Sequence, residues 1–255
     1  PAVYQGTNWR DGNPLEDSAL TSGVNKVFST DKAFAALKDD GSVITWGHAD
    51  SGGDISEILS SLSSGVSNIY STEQAFAALK TDGSVITWGG SGDGQWAFGT
   101  DYGGDSSLVS SSLINGVNKI FTTSQAFAAL KDDGSVVAWG ADNGGGNSNS
   151  VASSLKNNVT DIYSTNFAFA ALKEDGTVVT WGHNLYGGDN SSIVFPNKGV
   201  KQIFGNMYAF AALMNDGSVI TWGSPEWGGD SSSVESEIQS GVINIASTYQ
   251  AFAAL

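Results

Sequence analysis

Residues 33–47 read Ala-Phe-Ala-Ala-Leu-Lys-Asp-Asp-Gly-Ser-Val-Ile-Thr-Trp-Gly, and this stretch decides the fold. Its first six residues are rich in Ala, but an Asp-Gly pair separates them from a β-branched and aromatic run. A strand former on each side of such a pair predicts a β-hairpin rather than a helix. We expect Asp40 and Gly41 to form a two-residue type I′ turn, in which both residues take a positive φ. Both faces of the hairpin are apolar, which predicts neighbouring sheets on both sides.

The string Ala-Phe-Ala-Ala-Leu occurs six times, at successive offsets of 42, 51, 42, 41 and 42 residues. The copies begin at Ala33, Ala75, Ala126, Ala168, Ala209 and Ala251. A period of this length is typical of one blade of a β-propeller. The repeats therefore predict an all-β fold, a six-bladed β-propeller that forms one domain over residues 1–255. The expected blades are 24–65, 66–116, 117–158, 159–199, 200–241, and 242–255 together with 1–23. The last of these would close the ring with strands from both termini.

The Ser-rich last quarter of each repeat carries apolar residues spaced by four, such as Ile55 and Leu59. That spacing predicts a short helix, with an irregular outer strand as the alternative. Each such segment should end at a residue in the left-handed region of the backbone. The residues at that place are Gly65, Gly116, Asn158, Gly199 and Gly241.

The aromatic residues fall into two classes. One Trp recurs at a fixed position of the hairpin and is predicted to lie in the core: Trp46, Trp88, Trp139, Trp181 and Trp222. Other aromatic residues occur in the loops of only some repeats, and two of them lie in an insertion over 91–101. They are the candidate binding residues, either as anchors for a partner or as side chains folded back over the blades: Trp9, Trp96, Phe98, Tyr102, Tyr186 and Trp227.

The repeated Asp-Gly-Ser-Val-Ile-Thr-Trp-Gly segment, with the Ala-rich strand before it, resembles the repeat of the regulator of chromosome condensation family of β-propellers. The resemblance covers practically the whole chain. Gly-Gly-Asp-Ser-Ser replaces the family's usual Gly-Gln-Leu-Gly, and the chain has six repeats where the best-known members have seven blades. The resemblance implies a binding scaffold, because the family includes exchange factors for small GTPases, chromatin-docking proteins and a secreted bacterial inhibitor of β-lactamase. Those activities lie on loops that differ between members, and the loops here lack the basic character of the first two groups.

Composition excludes several classes of function. Asp and Glu number 26 against 11 Lys and Arg, a net charge of −15, which argues against nucleic acid as a partner. The absence of Cys excludes disulfides, thiolate metal sites and a cysteine nucleophile. No apolar stretch approaches the roughly 20 residues that insertion into a membrane requires.

His48 and His183 are interpreted as hydrogen-bonded loop residues, and no Ser-His-Asp arrangement can be assembled around them. We therefore expect no catalytic residue, no cofactor and no enzymatic activity.

One polar position recurs after the Gly-Gly pair: Asp54, Asp105, Asp189 and Asp230, with Asn13 and Asn147 at the equivalent places. The weak functional interpretation is a calcium site, since Ca²⁺ takes oxygen ligands. The favoured interpretation is a helix cap or Asx turn, because each site offers only one carboxylate.

These observations predict a non-enzymatic module that recognises a protein partner through variable aromatic and acidic loops on one face. A lectin-like propeller that binds carbohydrate is one alternative. The other is a structural repeat segment of a larger cell-surface protein, which would place the chain outside the cell. A lectin should show repeated aromatic pockets, whereas a structural segment should show no exposed patch.

Overall fold

The computed structural model describes residues 12–13, 20–90, 101–196 and 199–255. The described strands form six antiparallel sheets in chain order, and this all-β, propeller-type architecture confirms the predicted fold class. The first sheet has four strands: β1 (Gly12–Asn13), β2 (Val24–Ser29), β3 (Ala33–Lys38) and β4 (Val43–His48). The next four sheets have three strands each, and the sixth has two.

The remaining strands are β5 (Val66–Ser71), β6 (Ala75–Lys80), β7 (Val85–Gly89), β8 (Val117–Thr122), β9 (Ala126–Lys131), β10 (Val136–Gly140), β11 (Val159–Ser164), β12 (Ala168–Lys173), β13 (Val178–Gly182), β14 (Val200–Gly205), β15 (Ala209–Met214), β16 (Val219–Gly223), β17 (Ile245–Ser247) and β18 (Phe252–Ala254). The sheets divide between two compact units, 1–115 and 116–255. The first unit contains β1–β7 and the second contains β8–β18.

In every sheet of three or more strands the Ala-Phe-Ala-Ala-Leu strand is flanked on both sides. In the fourth sheet, for example, β12 pairs with β11 on one side and β13 on the other, and Phe169 lies opposite Trp181. The two rings stack with their centroids 5.2 Å apart. This alternation of side chains along the hairpin is the one predicted from period 2.

The hairpin turn is not the predicted two-residue type I′ turn. In the first sheet Gly41 N donates to Lys38 O at 3.0 Å and Lys38 N donates to Ser42 O at 2.9 Å, so the loop has three residues. Gly41 has a φ of +77°, whereas Asp40 is not among the residues with positive φ. A type I turn followed by one left-handed Gly therefore makes the connection, and only the Gly must adopt that conformation. Asp40 instead accepts hydrogen bonds from Ser42 N and Ser42 Oγ.

Small Ala residues make room for aromatic rings from the next sheet, as expected. In the second unit, Ala168 and Ala170 share one buried cluster with Phe210 and Trp222 of the following sheet. The first unit has the same arrangement between its two sheets. The first sheet departs from this pattern, because Phe34 is 44% exposed and Trp46 is only half-buried. The core assignment is thus confirmed for Trp88, Trp139, Trp181 and Trp222 and is wrong in part for Trp46.

The structure has seven 3₁₀ helices in its described part: η1 (Ala49–Ser51), η2 (Ser107–Ser112), η3 (Asp142–Gly144), η4 (Asn149–Val151), η5 (Asn184–Tyr186), η6 (Pro225–Trp227) and η7 (Ser232–Glu237). Only η2, η4 and η7 lie in the Ser-rich segments where short helices were predicted, and the other four precede the Gly-Gly pair and were not predicted. Only η2 and η7 reach six residues, and residues 55–62 of the first repeat form successive turns instead. The five predicted left-handed residues that end these segments are confirmed, including Asn158 at a φ of +62°.

Gly12 and Asn13 pair with His48 and Gly47 of β4 in the first sheet. The other N-terminal residues assigned to the last blade, 1–11 and 14–19, lie outside the described residues. Closure of a ring by both termini and the blade boundaries stay predictions. No helix within the described ranges combines the length and the apolar character needed to span a membrane.

Candidate recognition surface

Two short helices of the second unit carry predicted binding residues. Tyr186 ends η5 and Trp227 ends η6, and each is followed by a left-handed Gly. Both carbonyl groups are held by the polar residue of the loop that precedes the central strand. Thr165 Oγ1 donates to Tyr186 O at 2.9 Å, and Asn206 Nδ2 donates to Trp227 O at 2.8 Å. These bonds fix each helix end to its own sheet.

The following sheet holds the same segments from the other side. Trp222 Nε1 donates to Gly187 O at 3.2 Å, so the residue after Tyr186 is bound to the fifth sheet. A Cβ on Gly187 would lie 2.7 Å from Phe210 Cδ2, and this close approach requires a Gly at that position. The backbone at Tyr186 is therefore fixed between two sheets.

Five aromatic residues of the second unit lie in ring contact, and we call them the aromatic row: Phe167, Tyr186, Tyr208, Trp227 and Tyr249. Tyr208 stacks on Tyr186 with centroids 5.4 Å apart and on Trp227 with centroids 5.5 Å apart. Phe167 meets Tyr186 edge-on at 4.9 Å, and Tyr249 meets Tyr208 edge-on at 6.2 Å. Predicted residues from two repeats are thus joined through Tyr208.

The row is neither core nor fully solvated. Phe167, Tyr186, Tyr208 and Trp227 are half-buried, whereas Tyr249 is 61% exposed and the neighbouring Leu185 is 67% exposed. Burial raises the pKa of Tyr186 above its usual value, and the nearby Tyr208 adds to the effect. The pKa of Tyr249 is also raised, first by partial loss of hydration and then by Tyr208 through charge and a hydrogen bond, with a smaller effect of Tyr186. The phenol groups of Tyr186 and Tyr249 thus remain neutral hydrogen-bonding groups at physiological pH.

The repeat does not need aromatic residues at these places. In the third repeat Gln125 stands where Tyr208 stands in the fifth, and Gly144 stands where Trp227 stands. The third sheet nevertheless has the same strands, and the η3 helix there has the same length as η6. The aromatic row is therefore an addition to the scaffold rather than a requirement of it.

Of the other predicted binding residues, Tyr102 is half-buried in the first unit, and its carbonyl oxygen accepts a hydrogen bond from Thr72 Oγ1 at 2.8 Å. Trp9, Trp96 and Phe98 lie outside the described residues. Sequence reasoning missed Phe167, Tyr208 and Tyr249. Phe167 and Tyr208 could have been found by comparing the residue that precedes each Ala-Phe-Ala-Ala-Leu string, because they are the two aromatic residues at that position. The six residues there are Lys32, Gln74, Gln125, Phe167, Tyr208 and Gln250.

The Asp residues after the Gly-Gly pairs form Asx turns. Oδ1 of Asp189 accepts a hydrogen bond from Ser191 N at 2.8 Å, and Asp230 accepts from Ser232 N at 2.9 Å. Asp54 and Asp105 make the same bond to the residue two positions on. These backbone donors hold the pKa of Asp105, Asp189 and Asp230 below the usual range, so the three carboxylates stay charged.

An open groove of about 360 Å³ in the second unit is lined by Asp142, Asn147, Asn184 and Asp189 among other residues. Within the described ranges, no three His, Cys, Asp or Glu side chains come together as metal ligands.

His183 Nδ1 accepts a hydrogen bond from Leu185 N at 3.3 Å, as expected for a loop histidine. His48 differs, because its Nδ1 is buried without a hydrogen-bond partner.

The architecture and its repeated sheets define a propeller-type repeat protein with an added aromatic surface. No family model matches the sequence, and no curated protein matches it either. Solved structures do show similarity. Prp20p, the yeast RCC1 from Saccharomyces cerevisiae, is 18% identical with a TM-score of 0.48. The similarity covers 78% of this chain and 57% of Prp20p.

Two further structures give comparable values. Human WBSCR16 is 20% identical over 78% of this chain and 61% of its own, with a TM-score of 0.45. The ectodomain of the receptor kinase ACR4 from Arabidopsis thaliana is 14% identical over 77% of this chain and 67% of its own, with a TM-score of 0.46. The chain thus spans about three fifths of the first two of these proteins, and the likeness is one of fold.

Proposed function

We propose that the protein is a non-enzymatic recognition module and that the aromatic row contacts a protein partner. The observation that carries the proposal is the set of part-exposed rings on Tyr186, Tyr208 and Trp227, at positions where other repeats have Ser, Gln or Gly. Tyr and Trp are the residues that most often dominate the energy of protein interfaces. Side chains that the scaffold does not need, held on a fixed backbone, suit such a role.

The arrangement favours a protein over a sugar. A lectin-like propeller would place a separate aromatic pocket in each of several repeats, whereas the row joins residues of the fourth to sixth repeats in one continuous set of ring contacts. Its rings also stack on one another, which covers ring faces that a sugar would need. The edges and the phenol groups remain available for a peptide chain.

A row variant tests the proposal. It combines Tyr186→Ser, Tyr208→Gln and Trp227→Ser, each of which introduces a residue found at the same place in another repeat. A control variant, Leu108→Ser with Ile114→Ser, removes exposed apolar surface from the first unit. The probes are a phage-displayed library of linear peptides and an array of immobilised glycans.

We expect peptides selected on the unmodified protein to lose affinity for the row variant by about tenfold or more, as for truncated interface anchors. The control variant should keep its affinity. Circular dichroism and thermal unfolding should show that all three proteins fold. Binding of simple sugars that the row variant loses would instead identify a lectin, and peptide binding unaffected by the row variant would place recognition elsewhere.

A further inference from the structure

Charge is distributed unevenly around the aromatic row. Glu226 precedes Trp227 in η6, while Asp189 and Asp230 follow Tyr186 and Trp227 by three residues and are exposed. The charged state of the two Asp residues is maintained by the hydrogen bonds of their Asx turns. Negative charge therefore flanks the part-exposed rings in sequence.

Positive charge lies elsewhere in the described part of the second unit. Its Lys residues are Lys119, Lys131, Lys156, Lys173 and Lys201. Lys131 and Lys173 end the central strands β9 and β12, whereas the row lies where those central strands begin. A six-residue strand separates its two ends by about 16 Å, so these ammonium groups are remote from the rings. Residues 117–255 contain no Arg.

The remaining Lys residues belong to the same distant half of the sheets. Lys119 pairs with Leu130 near the end of β9, and its Nζ lies 3.2 Å from Asp161 Oδ1. Lys201 is the second residue of β14, whose first residue pairs with the end of β15. Lys156 precedes β11 by three residues. No Lys in the described part of the second unit is thus placed to neutralise the carboxylates that flank the row.

We propose that the aromatic row binds a positively charged segment of its partner, with Arg side chains over the exposed rings and near the carboxylates of Glu226, Asp189 and Asp230. A guanidinium group within about 6 Å of a Trp or Tyr ring centre is attracted by the ring electrons. Arg suits this surface better than Lys does, because its planar group stacks on rings while it donates to carboxylates. This inference rests on the proposed function and names the chemistry of the partner.

The probes are three fluorescein-labelled peptides of equal length. One repeats Gly-Ser-Arg four times, and the other two carry Gln or Glu in place of each Arg. Binding is followed by fluorescence anisotropy with the unmodified protein, the row variant, and two single-charge variants, Glu226→Gln beside the row and Glu174→Gln at a hairpin turn. The two charge variants change the net charge by the same amount, so they separate local attraction from the general effect of the acidic surface.

We expect the Arg peptide to bind most tightly and the row variant to weaken its binding about tenfold. Glu226→Gln should weaken it about threefold, while Glu174→Gln should leave it unchanged. Tyr249→Ser removes a largely exposed ring and therefore carries little risk to folding. It should also weaken binding of the Arg peptide.

Equal loss with Glu226→Gln and Glu174→Gln would overturn the inference, because it would indicate unspecific attraction to an acidic protein. No detectable binding of the Arg peptide would overturn it as well. Row-dependent binding of the Gln or Glu peptide with equal or higher affinity would overturn the charge assignment but leave the proposed function standing. If the row variant changes the binding of no peptide, including those from the library, both fail.

Discussion

Nε1 of Trp181 donates a hydrogen bond of 2.9 Å to the carbonyl oxygen of Gly145, 36 residues earlier in the preceding repeat. Trp88 and Gly52 are related in the same way in the first unit, and Trp222 and Gly187 in the second. The indole thus has two structural roles. Its ring fills the space between sheets, and its N–H donates to a buried carbonyl oxygen.

Replacing Trp181 by Phe should lower the free energy of unfolding by about 1–3 kcal/mol from the unpaired carbonyl alone. The smaller ring adds a packing loss. Urea unfolding followed by circular dichroism measures the change. Trp46→Phe is the matched control, because Trp46 is only half-buried and should cost less. Equal costs in the two variants would mean that the inter-sheet hydrogen bond contributes little.

Gly217 and Gly241 have the same φ of +80° but different surroundings. A Cβ on Gly217 would lie 2.8 Å from the backbone N of Gly241, whereas a Cβ on Gly241 would meet nothing within 4 Å. Gly241→Ala should therefore cost only the left-handed conformation, about 1–2 kcal/mol. Gly217→Ala should lower the free energy of unfolding by a further 1–3 kcal/mol, roughly the destabilisation seen when extra atoms enter a packed site.

Thermal unfolding of both Gly variants checks this difference. Gly241→Asn provides a third measurement, since Asn158 holds the equivalent position in the third repeat at a φ of +62°. It should be milder than Gly241→Ala, because Asn tolerates the left-handed region better. A larger loss for Gly241→Ala than for Gly217→Ala would contradict the steric argument.

Thr165 accepts a hydrogen bond from Ala168 N at 3.1 Å and donates one to Tyr186 O. Thr165→Ala should leave both groups unpaired and cost about 1–3 kcal/mol of unfolding free energy. Thr165→Asn should recover most of this, because Asn206 makes the corresponding bonds to Ala209 N and Trp227 O. Denaturant midpoints of the three proteins give the comparison. A Thr165→Asn variant as unstable as Thr165→Ala would show that the loop backbone selects Thr.

The Asp residue of the hairpin turn should make the stability of the fold depend on pH in the acid range. Ser135 Oγ donates to Asp133 Oδ1 at 2.6 Å, and this bond, followed by the one from Ser135 N, holds the pKa of Asp133 below its usual 3.8. Because the folded pKa is the lower one, the stability that Asp133 contributes is complete above pH 3.8 and is lost as the pH falls through the lowered value.

Ser135→Ala removes the main cause of that lowered pKa. Its loss of stability should therefore be visible at neutral pH and should shrink in strong acid, where Asp133 is protonated in both states. Urea midpoints measured across the acid range test this, and the same substitution at Ser84 provides a second copy of the turn. A difference from the unmodified protein that does not change with pH would rule out the linkage to Asp133.

Local chemistry made the hairpin and the repeat predictable. The period of two along Phe169 to Leu172 determines which side chains share a face of the sheet. The position of Gly65 at the end of a Ser-rich segment predicts its positive φ. The turn type was mistaken because Asp-Gly fits both a two-residue and a three-residue loop. The choice between them depends on the register of Lys38 and Ser42, which is a contact between strands rather than a property of the pair.

The sequence by itself thus determined the repeat, the strands and the left-handed residues, because each depends on neighbours within one repeat. Only the tertiary structure decided that Phe167, Tyr208 and Tyr249 join Tyr186 and Trp227 in one row. Tyr186 and Tyr208 belong to different repeats, and their rings meet because the sheets stack at a spacing set by the Ala and Trp side chains between them. The partial exposure of Trp46 has the same origin, since burial depends on what packs against a face and not on the residue that forms it.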